Sequence, residues 1–150
     1  MSVEWCMTKI SCALEQFAYH ATSRSNLEGI LKEGLRPGSY WATRPEIREY
    51  YAETIAGEGE VPVIIRVQVA DLEGYGPQPD RPGLQEPISS VIGMNEDQVW
   101  TQWEQSGKSW RDCDALIGSF YLKEAIPVEV LIRHNPSLFG YSHSSRKPGF

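Results

Sequence analysis

Cysteine is scarce, with three in 150 residues at Cys6, Cys12 and Cys113. The number is odd and no Cys-x-x-Cys occurs, which excludes a disulfide framework and leads us to expect a reducing, cytoplasmic setting. Histidine is equally scarce, and His20, His134 and His143 do not stand at metal-ligand spacing from a cysteine, so no metal is expected. Basic residues are outnumbered: fourteen Lys and Arg face twenty Asp and Glu, for a formal net charge of −6. That argues against broad nucleic-acid binding, which calls for a basic face, and leaves room for one small anionic ligand. No apolar run approaches the length of a membrane span. The start of the chain carries Glu4 and has no basic region followed by an apolar run, so no signal peptide is expected there.

What is present is an ordinary globular balance, 41% hydrophobic and 23% charged, with an unusual number of aromatics, five Trp and seven Tyr. The length suits one domain with one core. We expect that domain over residues 1–134, with 135–150 as a C-terminal tail.

Local patterns suggest the elements. Phe17 to His20 reads as a short strand ending at a polar run. Ser25 and Glu28 have capping-box spacing, Leu27, Ile30 and Leu31 form an apolar helical stripe, and Gly34 supplies a left-handed stop. Ser39 to Ala42 reads as a second strand. Thr43 and Glu46 make another capping box, with Pro45 in the first turn, and Ile47, Tyr50, Tyr51 and Ile55 give an apolar helical face. Val61 to Ala70 alternates as a strand. Asp71 to Pro87, with four Pro and three Gly, reads as a long loop. Asn95 caps a helix to about Gln105, with Val99, Trp100 and Trp103 on one side. Leu116–Leu122 and Val128–Ile132 read as strands, with Pro127 at the head of the second. Strands that close the chain without an intervening helix favour an α+β domain over a doubly wound parallel sheet.

Two stretches bear on chemistry. The first is Tyr19-His20-Ala21-Thr22-Ser23 followed by a helix and Gly34-Leu35. The second is Tyr40-Trp41-Ala42-Thr43 followed by a helix with Glu49-Tyr50-Tyr51-Ala52. Together they resemble the paired motifs of the ADP-ribosyltransferase superfamily over about residues 16–56. The resemblance continues loosely at Ile126 to Leu131. It implies a split, mixed β-sheet core with short helices, and NAD as substrate with no metal. It also implies transfer of ADP-ribose to a macromolecular, most simply protein, target by a toxin, an effector or a phage anti-defence protein.

The residues themselves admit that chemistry. A neutral imidazole at His20 can bond a ribose hydroxyl, and Ala21 has no bulk to keep a flat carboxamide from the backbone. Tyr40, Tyr50 or Tyr51 can stack on a nicotinamide ring. The helix after Asn26 presents free N–H groups, Thr22 adds a hydroxyl, and Arg24 and Arg44 are the nearest cations for a pyrophosphate. Cleavage through an oxocarbenium-like state asks for a carboxylate. Glu104 in Gln102-Trp103-Glu104 matches the family pattern literally, Asp114 precedes an expected strand, and Glu86 is a third option.

Plainer readings stand beside these. His20 reads equally as a structural histidine. Of Tyr50 and Tyr51, about 100° apart on a helix, one belongs to the core. Trp100, Trp103, Trp110 and Cys113 read as core, and Arg24, Arg44 and Glu104 as surface charges. Two further functions are compatible with the same motifs. One is a catalytically degenerate nucleotide-binding or protein-interaction module. The other is a relative of the RNA 2′-phosphotransferases, against which the acidic charge counts.

Overall fold

The computed structural model of the chain describes residues 16–85 and 95–140. The expectations placed on residues 1–15, Glu86 and His143 lie outside the described residues. The described elements run β1 (Phe17–Ser23), a 3-10 turn, α1 (Leu27–Glu33), β2 (Ser39–Ala42), α2 (Pro45–Gly57), β3 (Pro62–Gln68), α3 (Val69–Leu72) and β4 (Pro77–Gln78). They continue with helical residues 81–85, α4 (Glu96–Gln105), α5 (Trp110–Ile117), β5 (Ser119–Leu122) and α6 (Val128–His134). The fold is α+β. Its strands form one five-stranded sheet in the order β3-β1-β2-β5-β4, and every pairing between described strands is antiparallel.

Register divides the side chains between two faces, because neighbours along a strand point to opposite sides. Tyr19 lies opposite Ala42, so His20 and Trp41 share a face, and their rings stand 5.4 Å apart. Trp41 lies opposite Phe120, and His20 opposite Ile65. This face carries the main core, in which Trp41, Ile65, Val67, Phe120 and Leu122 are fully buried under Ile30 of α1 and Leu131 of α6. Burying a side chain such as Phe120 contributes about 1.5–3 kcal/mol. The opposite face carries Tyr19, Ala21, Tyr40 and Tyr121 and is covered in part by α2, whose Arg48 lies over the Tyr19 ring. A smaller core of Leu84, Trp103 and Cys113 joins residues 81–85, α4 and α5.

Several sequence expectations are met. Gly34 ends α1 with φ of 79°, and a Cβ there would come within 2.3 Å of the Ile126 carbonyl oxygen. Asn95 caps α4 in a full capping box with Gln98. No helix among the described residues is long and apolar enough to cross a membrane.

Others are corrected. Val128–Ile132 is helix rather than strand. A short apolar run does not distinguish the two by periodicity, and here Pro127 serves as the N-cap residue of α6 while Asn135 bonds its last turn. The expected strand from Leu116 begins only at Ser119, because α5 runs to Ile117 and Gly118 breaks it in the left-handed region. β1 does not stop at His20. It continues to Ser23, since its pairing with β3 extends unbroken from Phe17 opposite Gln68 to Ser23 opposite Pro62. The described part of the expected 71–87 loop is largely structured, by α3, a 3-10 turn, β4 and helical residues 81–85. Neither N-terminal capping box of the first half forms. Ser25 donates to Glu60 instead, and Thr43 to Asp114, both distant in sequence.

Candidate functional site

His20 is held in the middle of β1, where a side chain has little freedom. Its Nδ1 lies 2.8 Å from the carbonyl oxygen of Tyr40. A carbonyl only accepts, so Nδ1 carries the proton and Nε2 is left as an acceptor. Burial pushes the His20 pKa below its ordinary value of 6.5, against the smaller opposing effect of the Tyr40 bond, and keeps the ring neutral at pH 7.

The imidazole borders a cleft of about 390 Å³ between α1, the turn before it and the segment leading into β2. Thr22, Ser25, Asn26, Arg36 and Ser39 line it with polar groups. Asn26 donates to the Thr22 hydroxyl at 3.2 Å, and Ser25 shares a 2.9 Å bond with Ser23. Arg36 is the cation on the cleft and Glu33 its carboxylate, among the described residues. The volume falls within the range of small-ligand pockets, and the lining mixes hydroxyls, one amide and one charge of each sign.

The residues singled out in the sequence divide between several places. His20 and Thr22 meet in this cleft. Ala21 and Tyr40 follow the alternation of their strands to the opposite face, where the Tyr40 ring stands 5.0 Å from that of Tyr121. Tyr51 is half-buried near Ser119 and Asp80, and burial drives its hydroxyl pKa far upward. Tyr50 is 64% exposed, so Tyr51 is the inward member of the pair. Arg24 borders a separate hollow beside β3, and Arg44 donates to the Ala115 carbonyl.

Neither carboxylate singled out with them borders the His20 cleft. Asp114 sits in the last turns of α5, accepts from Thr43, and has its pKa raised by burial against the opposing effects of Thr43, Arg44 and Arg111. Glu104 borders a groove next to Tyr40 and Tyr121.

Sequence reasoning missed Glu33, Arg36 and Ser39. The signal available was the run Gly34-Leu35-Arg36, since the Leu35–Ile126 bridge that follows the Gly34 stop anchors this stretch beside β1. It also missed Asp80, a buried carboxylate that accepts from the Ser119 hydroxyl at 2.7 Å and from the Gly83 N–H at 3.0 Å. Among the described residues no group of three or more His, Cys, Asp and Glu could hold a metal ion. No family model matches the chain, and no curated protein or solved structure matches it.

Proposed function

We propose that the chain is an NAD-dependent ADP-ribosyltransferase whose His20 cleft holds a ribose of the dinucleotide. The observation behind this reading is the fixed tautomer of His20. An acceptor Nε2 facing a cleft of hydroxyls selects a ligand that offers a hydroxyl, and a ribose does so. Arg36 supplies a charge-assisted donor for one phosphate of the pyrophosphate. Glu33 is the carboxylate of the cleft that would stabilise positive charge on the sugar as the bond to nicotinamide breaks and a nucleophile of the target takes its place.

Calorimetry of the full chain with NAD tests the binding half. Saturable binding that His20→Ala abolishes without unfolding supports it, and unchanged binding in His20→Ala removes the site. Release of nicotinamide, measured for the native chain and for Glu33→Gln, tests the chemistry.

One observation favours a second reading, a nucleotide-binding module without transfer. Glu104 and Asp114, the carboxylates closest to the family pattern, both lie off the cleft. NAD binding with no nicotinamide release selects that reading. The 2′-phosphotransferase alternative asks for several cations around a phosphate, and the cleft presents Arg36 alone among the described residues.

A further inference from the structure

On the face of the sheet opposite His20 lies a larger groove of about 790 Å³. One wall is the Tyr40–Tyr121 ring pair. The other is formed by Trp100 and Trp103 of α4, each with a cation over its ring: Arg81 stands 5.0 Å from the Trp100 centroid and Lys108 5.2 Å from that of Trp103. Lys123 follows the end of β5 on the same groove. The charges there are three cations against Glu104, with Arg81 also 3.7 Å from Asp97, in a chain whose net charge is −6. Trp103 is 8% exposed, and its indole N–H finds no partner among the described residues.

We infer that this groove binds an unpaired nucleotide, with its base against the aromatic walls and its phosphate on Lys108, Lys123 and Arg81. Aromatic faces accept any base, and cations beside them accept the phosphate that follows it. A purely acidic peptide would use the cations and leave four rings without a role. The acidic charge of the whole chain repels a long polyanion, so contact is confined to one or a few nucleotides. The site is separate from the His20 cleft and does not depend on the function proposed for it.

Two probes test this at 50 mM salt: AMP by calorimetry, and a dye-labelled six-nucleotide oligouridylate by fluorescence anisotropy. Saturable binding of either that survives His20→Ala supports the site, since the cleft proposed for NAD would itself accept AMP. Oligouridylate binding ten times tighter than AMP identifies a strand as the source, and equal affinities identify a free nucleotide. Log affinity for the strand should fall with log salt at a slope of about −0.7 for each phosphate engaged. Trp100→Ala should weaken binding about five- to a hundredfold. Lys108→Glu with Lys123→Glu, both at exposed positions, should weaken it at least tenfold with the urea midpoint unchanged. His20→Ala should leave it intact. Absence of saturable binding to both probes, indifference to the double Lys substitution, or loss of binding in His20→Ala overturns the inference. Displacement by a polyglutamate peptide as effective as displacement by AMP also overturns it, since charge alone would then account for binding.

Discussion

Nδ1 of His20 and the carbonyl oxygen of Tyr40 stand 2.8 Å apart, tying a side chain on one face of the sheet to the backbone of a residue whose ring belongs to the other. The bond fixes the tautomer, and burial keeps the ring neutral. A histidine whose pKa is lowered on folding binds fewer protons folded than unfolded in the window below 6.5. Its contribution to stability is therefore complete above pH 6.5 and is lost as pH falls toward the folded value. The urea midpoint should drop between pH 7.5 and pH 5.5, and His20→Gln should reduce that drop. Ligand binding in the cleft should persist below pH 6.5 and fall only as pH passes through the lowered folded value, because a protonated Nε2 no longer accepts.

Asp80 depends on Ser119. The Ser119 hydroxyl and the Gly83 N–H satisfy a carboxylate that is 5% exposed, and this contact links residues 80–83 to β5. Ser119→Ala leaves one carboxylate oxygen without that donor and should cost about 1–3 kcal/mol. Ser119→Thr keeps the hydroxyl and should recover part of the loss, both read from urea denaturation.

Gly34 combines φ of 79° with ψ of −170°, a region that is essentially reserved for glycine. Gly34→Ala should cost about 1–3 kcal/mol from the backbone alone. The close approach to the Ile126 carbonyl adds to that cost. Thermal unfolding would measure it, and an unchanged midpoint would mean that the α1 stop is formed differently.

Asn135 binds β3 at both poles of one residue. Its Oδ1 accepts from the Arg66 N–H at 3.0 Å, and its Nδ2 donates to the Arg66 carbonyl at 2.7 Å and to the Leu131 carbonyl at 2.8 Å. Asn135→Ala should cost about 2–3 kcal/mol, the scale of leaving a buried polar group without its partners. Asn135→Asp keeps the acceptor but sets a carboxylate oxygen against the Arg66 and Leu131 carbonyls in a buried site, and should cost at least as much as Asn135→Ala.

The parts of the fold readable from sequence were those decided locally. Gly34 as a stop, Asn95 as a cap and the alternation of β3 each depend on neighbours a few residues away. What sequence did not reveal depends on partners far along the chain. Thr43 is drawn from its expected cap by Asp114, 71 positions distant. Val128–Ile132 becomes helix because its ends are fixed by Pro127 and Asn135 and its buried side, Val130 and Leu131, faces the main core. The candidate site was half legible. His20 and Thr22 are singled out together by the Tyr19–Ser23 motif, and the extension of β1 to Ser23 sets them on one side of a strand. Their separation from Tyr40 follows from the register of β1 against β2, which no motif encodes.

The Arg66 contact has a consequence beyond stability. Among the described strands β3 is an outer one, and an outer strand offers unpaired N–H and C=O groups on which another chain can add itself. Asn135 occupies both groups of Arg66, so a side-chain amide stands in for one residue of a missing neighbour strand. The far edge is guarded by different means: β4 is two residues long and begins with Pro77, which has no N–H to offer. Among the described strands, each outer border is thus closed in part by its own chemistry, an amide at Arg66 and an imide nitrogen at Pro77.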